Sequence, residues 1–300
     1  MPDSIKTETP SFNPYIPLIF GMAAVSTGAI FARLADAPPL VIAAYRVGLA
    51  ALVITPIALV KAPRELRSLS RNDLLFCVLS GLFLALHFAT WITSLSYTSV
   101  ANSVVLVNTN PLWVALASPF ITKERIRPVV ATGIVISVTG GAIIGAGDFA
   151  AGGKALLGDG LALAGSLCAA GYLLLGRNLR RKLSLLTYIF LCYGSAALIL
   201  WLVVLMARMP ISGFSSETYA CFVSMALITQ LIGHTSFNWA LKWFSAGLIA
   251  VSLLGEPIGS TILAYFIFDE GLTWPKVVGG GLILIGIYLS ARYEYKPNIR

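Results

Sequence analysis

From Ala246 to Phe268 the chain reads AGLIAVSLLGEPIGSTILAYFIF. The run is long enough to cross a bilayer as a helix, which needs about 20 apolar residues. Glu256 and Pro257 stand at its centre. An acid at that depth costs roughly 2.5–3.5 kcal/mol, and the proline removes a backbone donor and interrupts the helix. An acid beside a helix break in mid-membrane predicts a transport or ligand site. A structural kink, with the acid protonated or bonded to a neighbour, is the alternative.

The composition places the whole chain in a membrane. It is 57% hydrophobic and 11% charged, with a mean hydropathy of +0.85, whereas a soluble domain is typically about 25% charged. The polar N-terminus lacks the pattern of a cleaved secretory signal, so we expect the first apolar run to remain as a helix. We number the ten apolar runs as helices 1 to 10: 14–32, 40–60, 73–95, 99–121, 128–146, 159–176, 184–206, 217–241, 246–268 and 275–292.

The basic residues predict the orientation of these helices. Of the 21 Lys and Arg residues, 16 lie in the two termini and in the connections 2–3, 4–5, 6–7 and 8–9. The connections on the other side carry four, and Arg46 lies inside helix 2. Because short cytoplasmic loops are enriched in Lys and Arg, we expect both termini in the cytoplasm and the protein in the inner (plasma) membrane.

The chain repeats itself at an offset of 146 residues. The matched identities include Gly48 with Gly194, Leu95 with Leu241, Ser99 with Ser245, Pro111 with Pro257, Glu124 with Glu270, Gly133 with Gly279 and Gly140 with Gly286. A repeat of five helices has an odd number of crossings, so its two copies enter the membrane from opposite sides. We therefore predict an all-α integral membrane protein with ten transmembrane helices in two inverted five-helix repeats, 14–146 and 159–292, between cytoplasmic tails 1–13 and 293–300.

The paired segments Pro111/Glu124 and Pro257/Glu270, on ten helices in two halves, resemble the drug/metabolite transporter superfamily, EamA type. The resemblance covers about residues 14–292. It implies a basket of helices 1–4 and 6–9 around a central cavity, with helices 5 and 10 as supports at the side. Members commonly export amino acids and other small metabolites across the inner membrane, and an aromatic amino-acid exporter is the relative that the chain most resembles.

Two polar stripes predict residues of the cavity wall. Helix 3 carries His87, Thr90, Trp91 and Ser94 at spacings of three and four, therefore on one face, in the periplasmic half. Helix 8 carries Gln230, His234 and Asn238 at a spacing of four, reaching toward the cytoplasmic half. The asparagines of helix 4, Asn102, Asn108 and Asn110, are also polar at membrane depth. Each histidine could instead hydrogen-bond a neighbouring helix for packing. Tyr172 of helix 6 could stack on a flat substrate or belong to the core.

Arg46 is the basic residue that lies well inside an apolar run. It could snorkel to the surface, hold a substrate carboxylate in the cavity, or form an ion pair with Glu256. Asn110 is the repeat partner of Glu256, so we expect it across the pseudo-twofold axis from the acid. We expect Pro111 and Pro257 to act as structural hinges.

These features predict a secondary transporter that exports small metabolites, above all aromatic or other large neutral amino acids, by alternating access. A transporter of a sugar conjugate or a drug-like compound is the rival. Motifs of an enzyme, a metal site or a cofactor are absent from the sequence, and basic residues at helix ends do not indicate nucleic acid. We expect a small-molecule substrate and lipid as partners, and a monomer or weak dimer. Proton coupling and facilitated diffusion both stay open.

Overall fold

The computed structural model describes residues 13–98, 100–145, 153–269, 271 and 273–294. Most of the two predicted tails and the first part of the join between the repeats therefore lie outside the described residues. Ser99 and Glu270, which are each one member of a repeat pair, also lie outside them.

The described part of the chain is helical throughout. The helices, in chain order, are α1 (Tyr15–Val25 and Gly28–Leu34), α2 (Pro39–Lys61), α3 (Arg71–Ser94), α4 (Val100–Val107 and Asn110–Ile121), α5 (Pro128–Gly145), α6 (Lys154–Arg180), α7 (Leu185–Met206), α8 (Ser216–Ala240), α9 (Ala246–Leu253 and Glu256–Phe268) and α10 (Trp274–Glu294), with a short helix Pro63–Arg67 between α2 and α3. Eight of these are long and apolar enough to cross a membrane, and α5 and α10 contain shorter apolar helices. The predicted all-α membrane fold is confirmed.

Serine side chains begin four of the helices. Ser70, Ser184, Ser215 and Ser245 each accept a hydrogen bond from the backbone N–H three residues later, at 3.1–3.2 Å. Such caps satisfy donors that the first turn of a helix leaves unpaired. The sequence analysis did not use this signal, and it would have fixed the starts of α3, α7, α8 and α9.

The helix boundaries repeat at the offset found in the sequence. Pro39 begins α2 and Leu185 begins α7, while Pro128 begins α5 and Trp274 begins α10. The breaks in α4 and α9 also correspond, because the second segments begin at Asn110 and Glu256. Each pair is 146 residues apart, so the repeat extends from single identities to whole elements.

Helices α5 and α10 run antiparallel and in close contact. A Cβ added to Gly133 would collide with the carbonyl of Gly286, and one added to Gly140 would collide with the carbonyl of Gly279. Between these levels the Ser137 hydroxyl donates to the Ile283 carbonyl at 3.2 Å. Ser137 and Ile283 are equivalent positions of the two repeats. Gly133 is equivalent to Gly279 and Gly140 to Gly286, and each glycine contacts the partner of the other pair. The contact is thus a pseudo-twofold one, and it supports the inverted arrangement of the halves.

Four connections meet at one end of the bundle, which we call the basic end: residues 61–71, 122–127, 177–184 and 241–245. Glu65 accepts hydrogen bonds from the Ser184 backbone N–H at 2.7 Å and from the Thr187 hydroxyl at 2.6 Å. Lys182 pairs with Asp73 at 3.3 Å. Arg177 donates to Glu124 and to the Leu241 carbonyl, so the four connections that the basic residues assigned to one side do share one end.

Helix α8 departs from its repeat partner α3. Its residues Met225–His234 form a π-helix, whereas α3 is regular from Arg71 to Ser94. The π-helix is rare and occurs most often at functional sites. Here it carries Gln230 and His234, and no pattern in the sequence predicted it.

Candidate functional site

A central cavity lies between the two halves. It is lined by seven of the eight predicted site residues, Arg46, His87, Trp91, Asn110, Tyr172, His234 and Glu256, together with Val25, Val107, Asn108, Ala169, Leu173, Thr229, Phe237 and Leu253. Helices α2, α3 and α4 of the first half meet α6, α8 and α9 of the second around it.

Arg46 is fully buried at the cavity wall, with 1% of its surface exposed. Its Nε donates to Gln230 Oε1 at 3.0 Å, and its guanidinium carbon lies 3.9 Å from the centre of the Phe88 ring. Its Nη1 and Nη2 have no hydrogen-bond partner among the described residues. Burial excludes the snorkelling alternative. The structure also lacks an ion pair between Arg46 and Glu256, both of which it describes.

Glu256 is the first residue of the second α9 segment, directly after the helix break. The partial positive charge of a helix N-terminus favours an acid there. Its Oε2 accepts a hydrogen bond from Asn108 Nδ2 at 3.3 Å, and Asn108 lies in the matching break of α4. Asn110 donates through Nδ2 to the Val107 carbonyl at 3.3 Å, and its Oδ1 has no partner in the described part of the chain. The two breaks thus bring three polar side chains to one cavity.

Imidazole and aromatic rings form another part of the wall. His87 and His234 face each other with ring centres 6.4 Å apart, and Tyr172 lies 6.2 Å from His234. The His87 ring is parallel to that of Trp91 at 6.1 Å. Because His87 Nδ1 is 2.9 Å from the Gly165 carbonyl, which only accepts, Nδ1 carries the proton and Nε2 is the ring's acceptor.

The expectation of two polar stripes at different depths is wrong in part. His87 and His234 meet at one level instead of marking separate depths. Further along α3, the hydroxyls of Thr90 and Ser94 donate to carbonyls of their own helix and do not line the cavity. A serine or threonine in a helix readily bonds the preceding turn, and the spacing alone does not reveal this.

Asn238 stands behind the wall rather than in it. It is fully buried, accepts from the Tyr172 hydroxyl at 2.6 Å, and donates to the Tyr193 hydroxyl at 2.9 Å. Its amide is therefore committed to two tyrosines. This corrects its predicted place on the wall, and its role in the structure is to fix the position of Tyr172.

Sequence reasoning left Phe88 out of the site. Gln230 and Asn108 carried a signal that the sequence reveals, since each is polar within an apolar run. Phe88 carried none, because one more aromatic residue in an apolar helix is unremarkable. Its contact with Arg46 is long-range in sequence and appears only when α2 and α3 pack together.

The cavity is narrow. Its space would hold about two water molecules, so the walls must separate before a larger molecule fits. Contacts between connections or helix ends bridge both ends of the bundle. At the basic end Arg177 binds Glu124 at 2.9 Å, and at the opposite end the Tyr45 hydroxyl donates to the Ile211 carbonyl at 2.6 Å. Among the described residues, acids, histidines and cysteines do not form a group of three that could hold a metal ion.

Comparison with known proteins gives a consistent result for both halves. The sequence model of the EamA-like transporter family matches residues 14–146 and again 156–292. An uncharacterized transporter of Clostridium kluyveri is 25% identical over 262 residues, 83% of this chain and 82% of that protein. The uncharacterized transporter YyaM of Bacillus subtilis is 24% identical over 259 residues, 83% of each chain. A solved structure titled "Crystal structure of protein" superposes with a TM-score of 0.76 at 18% identity, covering 93% of this chain and 96% of that one, which shows the shared fold.

Proposed function

Since the chain belongs to the EamA-like transporter family, we propose that this membrane transporter exports small metabolites, above all amino acids with aromatic or other large neutral side chains. Its site would be the central cavity between the halves.

The guanidinium of Arg46 carries this proposal. Its two terminal nitrogens lack partners in the described chain although the group is buried, and an unpaired buried charge is costly. Gln230 and Phe88 hold the group in place from the sides. The arrangement leaves the two N–H groups that match a carboxylate in the bidentate geometry. A carboxylate-bearing substrate would supply the missing acceptor.

A second charged group supports a zwitterionic substrate. Glu256 lines the same cavity, and Asn108 donates to it. With Arg46 as the partner of the substrate carboxylate, Glu256 and the side-chain Oδ1 of Asn110 would accept hydrogen bonds from the substrate ammonium group. The rings of Trp91, Tyr172 and the two histidines would surround the side chain of the substrate. Small-molecule sites commonly combine such aromatic surfaces with a few polar groups.

The helix breaks support alternating access. Both α4 and α9 are interrupted at the cavity, with Pro111 and Pro257 next to the breaks. Broken helices at the interface of inverted repeats are typical of transporters in which the halves rock around a central site. In our proposal the two prolines mark hinges, and the arrangement with the narrow cavity is one stage of the cycle. The basic end would face the cytoplasm of a cell whose inner membrane holds the protein.

The direct test is flux into proteoliposomes that contain the purified protein. We expect counterflow of phenylalanine, tyrosine or leucine, and loss of it in Arg46→Gln. A panel with sugars, nucleotide sugars and drug-like amines includes the rival substrates. Flux of a compound without a carboxylate, unaffected by Arg46→Gln, would contradict the proposal. Reversal of an imposed pH gradient separates proton coupling from facilitated diffusion, because facilitated flux of a zwitterion is indifferent to it.

A further inference from the structure

A second polar pocket opens at the basic end of the bundle. It has an empty volume of about 810 Å³, including its mouth, and is lined by residues from the α4–α5 connection, the end of α6 and the α8–α9 connection. Arg125, Arg127 and Arg177 are among its lining residues, together with Glu124. We call it the basic pocket.

The basic pocket lies on the same helix faces as the central cavity. On α4, Asn110 lines the central cavity and Ser118, eight residues further, lines the basic pocket. On α6 the corresponding residues are Leu173 and Arg177. Eight helical residues span about 12 Å. Val114, fully buried, lies between the two levels on α4. Both spaces are therefore lined from α4 and α6, and about two turns of α4, including Val114, lie between them.

Polar atoms at this pocket lack partners. The Ser118 hydroxyl, the Trp243 Nε1–H and Glu124 Oε2 are buried and form no hydrogen bond with any residue that the structure describes. Ser118 is 1% exposed. Buried polar groups are normally paired, so each calls for an explanation. The lining residues of the pocket thus include two unpaired donors, from Ser118 and Trp243, and one unpaired acceptor, from Glu124.

Arg177 also ties the halves together at this point. Its Nε donates to Glu124 Oε1 at 2.9 Å, and its Nη1 donates to the Leu241 and Lys242 carbonyls at 2.6 and 3.1 Å. Glu124 belongs to the first repeat, whereas Arg177, Leu241 and Lys242 belong to the second. A carboxylate that replaced Glu124 at Arg177 would therefore break one of the contacts between the repeats at this end, while others, such as the pair of Lys182 with Asp73, remain.

We propose that the basic pocket is a second binding site, for the carboxylate of a small organic acid or amino acid, in which the ligand competes with Glu124 for Arg177. The guanidinium of Arg177 supplies the cation in this site, and the unpaired Ser118 and Trp243 donors would bind the carboxylate beside it. The proposal rests on the proposed function only for the direction of travel, since binding here does not require Arg46.

The test uses the full chain with Ile126→Cys, because Ile126 lines the pocket and is partly exposed. The rate of its modification by the uncharged reagent N-ethylmaleimide is measured with benzoate and with benzamide, which has a similar shape without the charge. Benzoate at about ten times its Kd is expected to slow labelling about tenfold, and benzamide is not. Ser68→Cys, exposed beside Arg67 in another basic connection, is the control and is expected to show no effect.

Three variants locate the effect. Arg177→Gln is expected to abolish protection by benzoate, with Arg127→Gln as the alternative if the first variant does not fold. Arg181→Gln is expected to retain it, because Arg181 pairs with Glu124 but does not line the pocket. Arg46→Gln is also expected to retain it. The proposal is wrong if benzoate protects Ser68→Cys equally, leaves Ile126→Cys unprotected, or protects the Arg177→Gln chain. Loss of protection in Arg46→Gln would instead assign the ligand to the central cavity and overturn only this second site.

Discussion

Arg46 is the residue whose surroundings differ most from what an apolar chain would select. A buried guanidinium with two unpaired nitrogens contributes nothing to stability that an apolar residue of similar volume could not provide. Its cation–π contact with Phe88 and its bond to Gln230 orient the group without neutralising it. We therefore expect replacement of Arg46 by an apolar residue to impair transport without lowering stability.

Arg46→Met should strongly reduce transport without lowering the melting temperature. Loss of a bidentate, charge-assisted contact of about 1.5–3 kcal/mol per bond should reduce the flux by about tenfold or more. Removal of an unpaired buried charge should leave the melting temperature in detergent unchanged or raise it. Arg208→Met, in a connection at the opposite end, is the control for flux. A strongly destabilised Arg46→Met chain would mean that the arginine is structural.

At the scale of the element, α5 and α10 contact each other through glycine and leave no room for a methyl group. A Cβ on Gly286 would collide with Ser137 Oγ and the Gly133 carbonyl, whereas one on Gly281 of the same helix would meet nothing within 4 Å. Without a hydrophobic force between helices in lipid, such close approach supplies much of their association.

Gly286→Ala should destabilise the protein by about 1–3 kcal/mol, the usual cost of overpacking, and Gly281→Ala should not. Thermal unfolding of both purified variants in the same detergent measures the difference. Equal melting temperatures would show that the α5–α10 contact can separate at little cost.

The connection between α2 and α3 contributes a second element-level contact. Burial of Glu65 tends to raise its pKa, but the hydrogen bonds donated by Ser184 and Thr187 outweigh it, so the pKa is lowered from the ordinary 4.5. A group whose pKa is lower in the folded state stabilises that state above its unfolded pKa. This stabilisation is lost as the pH falls through the folded value.

Glu65→Gln should therefore lower the melting temperature at pH 7, and the difference from the native chain should shrink as the pH falls below about 4.5. Melting curves of the two proteins between pH 7 and pH 3.5 test this. A difference that stays constant over the range would mean that the charge of Glu65 is not the stabilising feature.

At the scale of the whole molecule, the two halves are inverted copies with unequal chemistry. The repeat partner of Glu256 is Asn110, that of Arg46 is Cys192, and that of Phe88 is His234. The halves share helix boundaries and breaks, whereas the charged groups of the cavity come one from each half. The two repeats thus share their backbone arrangement. The positions at which their residues differ carry the charged groups that we propose to bind a zwitterion.

The predicted sidedness can be measured in intact cells with single cysteines. Ser68→Cys at the basic end should be protected from an impermeant maleimide until the membrane is opened, because short basic loops stay in the cytoplasm. Gly213→Cys, in the α7–α8 connection at the opposite end, should react in intact cells. The reverse pattern would invert the orientation and with it the proposed direction of export.

The sequence by itself determined the all-helical membrane class, and the described residues contain eight helices long and apolar enough to cross a membrane. The sequence also predicted the inverted repeat and named seven residues that line the cavity, since apolar length and a polar group inside an apolar run are local signals. It also located the breaks beside Pro111 and Pro257, because proline acts on its own backbone. Only the tertiary structure excluded two of the three alternatives for Arg46, moved Asn238 behind the wall, and brought His87 against His234. Those outcomes depend on which helices pack together and at what rotation, through contacts between residues from 45 to 184 positions apart that no single segment encodes.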